Sequence, residues 1–237
     1  MNDFIAILND TLTRFDITVD APAKERLKRY YELLVEWNER MNLTALTEPQ
    51  DVALKHFADS LTLLQYTEIK DGASMIDVGT GAGFPGLVLK IARPDIRLTL
   101  LDSLNKRLNF LDTVCEELGL EEVETVHSRA EDGSRTQLRD SFDYAVARAV
   151  APLNVLAEYC LPYVKAGGAF LAMKGKTAAK ELADAENAIK KLGGEVADKR
   201  FFTLGEAGER GIIEIAKIAP TPKEYPRKSK AIKNKPL

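Results

Sequence analysis

From Ser74 onwards, short apolar runs alternate with amphipathic segments, and this alternation constrains the fold more than any other feature of the chain. Apolar runs that predict strands are found at residues 74–78, 96–102, 123–127, 142–150 and 169–174. Most of them are separated by segments of helical periodicity. Strand–helix alternation is typical of a parallel sheet with helices on both faces. The sequence therefore predicts a doubly wound, mostly parallel α/β fold.

The last two apolar runs, residues 195–204 and 210–218, follow each other with no helix between them. Such a pair predicts an antiparallel hairpin at one edge of the sheet. Upstream, the helix over residues 153–164 is predicted to end at the glycines of residues 166–168, which suit a C-terminal cap.

The first seventy residues carry two apolar stripes at helical spacing. The stripes are formed by Phe4, Leu8, Leu12 and Phe15, and by Leu27, Tyr30, Leu34 and Trp37. Thr47, followed by Pro49 and Gln50, resembles a capping box that opens another helix. We therefore expect a helical extension over residues 1–70, packed on a core of residues 71–219.

Residues 220–237 form a basic segment in a chain whose net charge is −3. The segment contains six lysines and arginines and one acid, Glu224. A basic terminal segment on an acidic body is a candidate contact for RNA or phosphate. The alternative is a solvated tail with no specific partner. Because the segment follows the last predicted strand, we expect the fold not to need it.

No apolar run approaches the 18 residues of a transmembrane helix, and the first residues do not resemble a secretory signal. These features predict a cytoplasmic protein without a membrane partner. The composition, 45% hydrophobic and 29% charged, is that of an ordinary globular protein.

The stretch MIDVGTGAGFPG, residues 75–86, places glycines at alternate positions directly after a predicted strand. Glycine in this position indicates that a ligand approaches the backbone closely. The stretch lacks the Gly-Lys-Ser or Gly-Lys-Thr of a phosphate-binding P-loop. A dinucleotide pattern fits Gly81, Gly83 and Gly86, but it begins two residues late. The better register is an acid followed by three spaced glycines: Asp77, Gly79, Gly81 and Gly83.

The acidic residues around this loop indicate the kind of ligand. Asp77 would repel a pyrophosphate and suits a ligand with a cationic end. Asp102 ends the second predicted strand, where a carboxylate can accept both hydroxyls of a ribose. S-adenosylmethionine carries an amino group, a sulfonium and a ribose, so it is the cofactor that this pattern favours.

Other strand ends bring further polar residues to the same edge of the predicted sheet. Arg129 and Glu131 follow the third strand, Arg148 ends the fourth and Lys174 ends the fifth. Arg148 is predicted to orient the cofactor or the substrate base, and no residue is assigned to bond making. Lys174 is predicted to contact a phosphate, with an ordinary strand-end lysine as the alternative. The predicted rim has few aromatic side chains, which favours recognition through phosphates and RNA shape.

Several motifs together resemble one known family. They are EWNERMNLTALT, HFADSL, DVGTGAGFPG, LLDSLNKRLNFL, SRAED, VARAVAPL, MKG and YPRK. In this combination the chain resembles the glucose-inhibited division protein B family, from about Trp37 to Lys228. Members are bacterial methyltransferases that modify N7 of one guanine in 16S ribosomal RNA. The resemblance implies a seven-stranded Rossmann-like methyltransferase sheet and S-adenosylmethionine as cofactor.

The resemblance also implies site residues and a partner. The implied cofactor contacts are Gly79, Phe84, Asp102, Ser103, Leu104, Ala130, Glu131 and Arg148. The candidates for RNA contact come from the basic residues at strand ends and in the C-terminal segment, and they are Arg129, Lys174, Arg227, Lys228 and Lys230. The implied partner is 16S ribosomal RNA or the small ribosomal subunit, with no obligate protein partner. The implied reaction is an in-line methyl transfer without a general base; a small-molecule methyltransferase and a cofactor-sensing RNA-binding module stay open as alternatives.

Overall fold

A computed structural model describes residues 4–237 and shows a seven-stranded sheet. The strands are β1 (Ser74–Val78), β2 (Arg97–Asp102), β3 (Val123–His127), β4 (Phe142–Arg148), β5 (Val164–Lys174), β6 (Gly194–Thr203) and β7 (Glu209–Lys217). Their spatial order is β3-β2-β1-β4-β5-β7-β6. Strands β1 to β5 pair in parallel, and β7 runs antiparallel to both β5 and β6. The predicted doubly wound sheet with an antiparallel edge hairpin is confirmed.

Helices precede the sheet and connect its strands. They are α1 (Phe4–Arg14), α2 (Ala21–Met41), α3 (Pro49–Asp51), α4 (Asp59–Tyr66), α5 (Gly86–Ala92), α6 (Asn105–Leu118), α7 (Ala130–Gly133), α8 (Leu153–Cys160), α9 (Ala178–Lys191) and α10 (Ser229–Asn234). A π-helical segment, Val52–Ala58, joins α3 to α4. None of the helices within residues 4–237 has the length and apolar character needed to cross a membrane.

Each face of the sheet carries its own apolar core, because successive strand residues point to opposite faces. Met75 belongs to a core shared with α1, α2, the π-helical segment, α5 and α6, whereas the next residue, Ile76, belongs to a core shared with α8 and α9. Leu8, Tyr30 and Phe57 are fully buried in the first core. The N-terminal helices therefore form part of the layer that covers one face of the sheet.

Two predicted element boundaries are wrong. Strand β5 begins at Val164 and runs through residues 166–168, so these residues do not cap a helix. A Cβ on Gly168 would collide with the carbonyl oxygen of Asp143 on the neighbouring β4, so close strand packing accounts for this glycine. Helix α3 begins at Pro49 after an extended Glu48, which leaves Thr47 one residue outside the cap position.

The basic C-terminal segment is part of the fold, contrary to expectation. Arg139 donates hydrogen bonds to the carbonyl oxygens of Thr221 and Tyr225, at 2.7 and 2.9 Å. The Thr221 hydroxyl accepts a hydrogen bond from the buried Lys217 ammonium at 2.6 Å. Ile232 of α10 is fully buried in the second core. Because these contacts fix the segment along its length, it is not a solvated tail.

Candidate active site

The glycine loop follows β1 at the point where the strand order reverses between β1 and β4, which is where open α/β sheets bind their ligands. Gly79 and Gly83 have φ values of 75° and 99°, in the region that favours glycine. A Cβ on Gly79 would lie 2.9 Å from the Val150 side chain, and one on Gly83 would lie 2.8 Å from that of Leu111. Both conformation and space therefore require glycine at these two positions.

Asp77 lies in β1 directly beneath the loop and is completely buried. Its Oδ2 accepts hydrogen bonds from the Thr80 hydroxyl at 2.8 Å and the Gly86 amide at 2.9 Å. Its Oδ1 has no hydrogen-bond partner among residues 4–237. Burial raises the pKa of Asp77 from 3.8 to about 6. The site therefore holds one carboxylate oxygen without a donor.

The N-terminal helices support the loop from below. The Tyr30 hydroxyl of α2 donates a hydrogen bond to the Ala82 carbonyl oxygen. The Phe84 ring is buried and stacks on the His56 ring, with centroids 4.2 Å apart. The Phe84 side chain therefore supports the loop from beneath, as packing alone would suggest.

A cavity of about 460 Å³ opens beside the loop, and we call it the glycine-loop cavity. Five of the predicted cofactor residues and one predicted RNA residue line it: Gly79, Asp102, Ser103, Arg129, Ala130 and Glu131. Other residues predicted as cofactor contacts are not among those that line it: Asp77, Gly81, Gly83, Phe84 and Leu104. Residues at the ends of β1, β2 and β3 are thus brought together around one space.

The Asp102 carboxylate is already held by donors from the protein. Its Oδ1 accepts from the Leu104 amide at 2.9 Å, and its Oδ2 accepts from the Gly81 amide at 3.0 Å. Arg107 also reaches Oδ2, at 3.2 Å. Each carboxylate oxygen offers about two acceptor positions. The contacts fix the orientation of the carboxylate at the cavity wall and leave it some remaining capacity.

The glycine-loop cavity is also lined by residues that the sequence analysis did not single out, among them Tyr159, Ser229 and Lys233. Ser229 and Lys233 belong to α10, so the C-terminal segment forms one wall. The segment is held there by Arg227, whose guanidinium pairs with the fully buried Glu158 carboxylate at 2.6 Å. Arg227 was predicted to contact RNA, but this pair engages its guanidinium inside the protein.

A second cavity, also of about 460 Å³, lies on the other side of Ala149 and shares that residue with the first. We call it the arginine cavity. Its lining includes His56, Asp59, Arg148, Lys174, Glu181, Phe202 and Arg210. Arg148, predicted as a cofactor contact or positioning residue, therefore faces this space and not the glycine-loop cavity.

Asp59 organises the arginine cavity from α4. Its Oδ2 accepts from the Arg148 Nη1 at 2.6 Å, and its Oδ1 accepts from the Arg210 Nε at 2.7 Å. This carboxylate thus lies between two guanidinium groups. It is largely buried, since Asp59 is 4% exposed. The HFADSL motif contains Asp59, but sequence analysis assigned neither Asp59 nor Arg210 to a site, because nothing local links two residues that are 151 positions apart.

His56 is held as a neutral ring. The Arg148 Nη2 donates to its Nδ1 at 3.1 Å, so the ring proton is on Nε2, which lies 3.0 Å from the Thr44 hydroxyl. Burial and the neighbouring Arg148 charge lower the pKa of His56 to about 3. His56 therefore stays uncharged at neutral pH and positions Arg148.

Lys174 does not present a free ammonium to phosphate. Its Nζ lies 2.6 Å from the Glu181 carboxylate and donates to the Ala151 carbonyl oxygen at 2.7 Å. The residue is 9% exposed. The Lys174 ammonium is therefore engaged by Glu181 and by the Ala151 carbonyl oxygen, and it fixes the loop that follows β4.

The rim of the site carries more aromatic side chains than the sequence analysis predicts. Phe202 of β6 lines the arginine cavity and packs against the half-exposed Tyr66, with ring centroids 4.8 Å apart. The adjacent Phe201 is 49% exposed. The adjacent Phe201 and Phe202 in the predicted edge strand are the sequence feature that indicates aromatic side chains at this rim.

The residues around the glycine-loop cavity fit S-adenosylmethionine. Asp77 supplies a buried carboxylate oxygen without a donor, which suits a cationic group nearby. Asp102 and Glu131 line the cavity and can accept from ribose hydroxyls. Gly79 lines the same cavity, in a backbone conformation that favours glycine.

Comparison with a solved structure supports this arrangement at the level of the fold. A SAM-dependent methyltransferase from Aquifex aeolicus superimposes with a TM-score of 0.55 at 19% sequence identity. The match covers 73% of this chain and 96% of that one. The fold is therefore Rossmann-like, as predicted.

Sequence comparisons identify the family. The family described as "GidB: rRNA small subunit methyltransferase G" matches residues 23–211. The ribosomal RNA small subunit methyltransferase G of Alkaliphilus metalliredigens is 49% identical over 98% of both chains. That of Leuconostoc mesenteroides is 50% identical over 99% of this chain and 98% of the relative. The resemblance read from the motifs is confirmed, and the chain belongs to the rRNA small subunit methyltransferase G family.

Proposed function

We propose that this protein is an S-adenosylmethionine-dependent methyltransferase that modifies N7 of a guanine in 16S ribosomal RNA. The observation that carries the proposal is the meeting of two cavities at Ala149. One is lined by carboxylates that suit the cofactor, and the other is lined by fixed arginines and is open to a base. Family membership supports the RNA substrate, and the motif resemblance supports N7 of guanine as the target.

The reaction needs position more than it needs proton transfer. The cofactor supplies an electrophilic methyl group bound to a sulfonium. Guanine N7 has a free lone pair, so no side chain has to remove a proton before attack. Holding reacting groups in line can contribute up to about 7–11 kcal/mol. The glycine-loop and arginine cavities would hold the two reactants on either side of Ala149.

The charges of the arginine cavity bear on a product whose guanine ring becomes cationic. Asp59 places one carboxylate between Arg148 and Arg210, which offsets one of the two guanidinium charges and fixes both side chains. Neutral His56 adds no further positive charge. Arg148 is therefore assigned a positioning role, with Asp59 and His56 holding it.

The target guanine has to leave a helical stack before it reaches this site. N7 lies on the major-groove edge, which A-form RNA buries in a deep and narrow groove. Enzymes that modify a base in a duplex turn it out of its stack or act on single-stranded RNA. The exposed Arg129, Lys228 and Lys230 are proposed phosphate contacts around the cavities. A ribosomal substrate places the enzyme in the bacterial cytoplasm.

Labelled methyl transfer tests the proposal. Purified protein, labelled S-adenosylmethionine and either 16S ribosomal RNA or small subunits lacking the modification are expected to yield labelled 7-methylguanosine after digestion. Binding of RNA without transfer would favour the cofactor-sensing module instead. Transfer to small molecules and not to RNA would favour the small-molecule methyltransferase.

Asp102→Ala is expected to weaken cofactor binding by about 1.5–3 kcal/mol, the value of a hydrogen bond to a charged group. The reason is that the Asp102 carboxylate is fixed at the cavity wall by Gly81 and Leu104. Titration calorimetry measures the change. Glu124→Ala is the control, because this acidic residue is exposed on β3 and lies outside the cavity. Equal affinities of wild type and Asp102→Ala would remove Asp102 from the cofactor site.

Cofactor affinity is expected to rise with pH as Asp77 ionises, because the charged carboxylate attracts a cation. With a pKa of about 6, Asp77 is largely protonated at pH ~5 and ionised at pH ~7.5, so affinity should change by up to about tenfold per pH unit below 6. The stability of the unliganded fold is expected to show the opposite trend. Its Asp77 pKa is raised, so its stability falls as pH rises from 3.8 to about 6. Asp77→Asn should flatten both profiles; unchanged profiles would rule out Asp77 as their source.

A further inference from the structure

A groove of about 400 Å³ lies between the start of α9 and the β6–β7 hairpin, and we call it the edge groove. Phe201 and Phe202 line it from β6 and Arg210 from β7. Ala179 lines it from the first turn of α9, and Lys176 from the turn that precedes this helix. The groove is separate from the glycine-loop cavity, with which it shares no lining residue.

The edge groove adjoins the arginine cavity. Gly175, Phe202 and Arg210 line both spaces. A nucleotide chain whose target base entered the arginine cavity would therefore have the edge groove beside it. Gly175 leaves open space at the junction, because a Cβ there would meet no atom within 4 Å.

Phe201 offers a ring face to this groove. It is 49% exposed although it is a large apolar residue, and it lies on the edge strand β6. Its partner in the strand pairing is Gly211, where a Cβ would lie 3.1 Å from the Phe201 ring. The ring thus rests over glycine backbone, which fixes its position and leaves its outer part uncovered.

The charge of the groove suits a polyanion. Lys176 is exposed, and no carboxylate within residues 4–237 forms an ion pair with it. Lys199 is also exposed and lies two residues before Phe201, on the same face of the strand. Glu209 is the acid that lines the groove. An aromatic face flanked by lysines is the usual platform for single-stranded nucleic acid.

We infer that the edge groove binds the single-stranded RNA next to the methylated guanine, with a neighbouring base stacked on Phe201 and its phosphates near Lys176. The inference rests on the proposed RNA substrate, and it adds where the strand lies and which residues bind it. It also assigns a role to an exposed phenylalanine that the packing of the fold does not use.

Phe201→Ala is expected to raise KM for the RNA about tenfold, the size of a lost base–aromatic stack, with kcat and cofactor affinity unchanged. Phe201→Trp should restore the wild-type KM because it keeps a ring. Ile218→Ala is the matched control, since Ile218 is 62% exposed but lies outside the groove. Lys176→Ala should reduce the slope of log affinity against log salt by about 0.7.

Two readouts separate this inference from the proposed function. Methyl transfer into RNA by the wild type tests the proposed function, and RNA binding without cofactor tests the groove. If wild type transfers no methyl group, the proposed function fails, and the binding comparison still applies to the groove. Equal RNA affinities for wild type and Phe201→Ala would overturn the inference in either case.

Discussion

Arg227→Ala is expected to lower the free energy of unfolding by about 3–5 kcal/mol, because it leaves a buried carboxylate without its partner. The Glu158 side chain is 0% exposed, and the Arg227 guanidinium and amide are its hydrogen-bond donors, at 2.6 to 3.2 Å. The Arg227 amide survives the substitution, but one backbone donor cannot compensate a buried charge. Urea unfolding followed by circular dichroism measures the loss.

The same substitution should also weaken cofactor binding, because Arg227 holds the segment that carries Ser229 and Lys233 to the glycine-loop cavity. Lys230→Ala is the matched control: Lys230 is exposed in the same segment and should change stability by less than about 0.5 kcal/mol. Arg227→Lys should recover part of the stability, since it restores a charge without the bidentate geometry. Wild-type stability in Arg227→Ala would mean that the segment does not need this anchor.

The C-terminal segment illustrates what composition cannot predict. Six basic residues after the last strand are typical of a solvated or RNA-binding tail, and that was the prediction. The structure anchors the segment through partners far away in the chain, such as Arg139 and Glu158. Charge density is visible in a sequence, whereas a buried partner 69 residues away is not.

The sheet was predictable because its signals are local. Apolar runs, helical periodicity and the absence of a helix between the last two strands depend only on neighbouring residues. The failures had causes outside the local sequence. The glycines of residues 166–168 suit a helix cap as well as a strand, and the nearby β4 backbone, not the local sequence, selects the strand.

The two cavities differ in how far their lining residues can be predicted from the sequence. The residues of the glycine-loop cavity mostly follow the ends of β1, β2 and β3, so parallel topology alone predicts that they meet. The arginine cavity draws His56 and Asp59 from the N-terminal helices and Arg210 from the edge hairpin. Because no periodic pattern links these segments, only Arg148 and Lys174 were identified from the sequence, each with a different partner from the one expected.

Asp59→Ala tests whether the arginine cavity is the catalytic side of the site. The substitution leaves Arg148 and Arg210 without their shared carboxylate in a largely buried position. We expect a loss of about 3–5 kcal/mol in the free energy of unfolding, as for other buried pairs that lose one partner. Because Arg148 can then move, kcat for methyl transfer should fall by about 100-fold, the cost of a misplacement of roughly 1 Å.

Two further variants separate stability from catalysis. Asp51→Ala is the control, because it breaks a partly exposed ion pair with Lys55. It should lower the free energy of unfolding by about 1 kcal/mol or less and leave kcat unchanged. Asp59→Asn keeps one oxygen acceptor but turns an amide toward the other arginine, so it should fold better than Asp59→Ala while kcat stays low. Cofactor affinity should be unchanged in both Asp59 variants, because Asp59 does not line the glycine-loop cavity. A folded Asp59→Asn with wild-type kcat would show that the fixed arginines do not position the methyl acceptor.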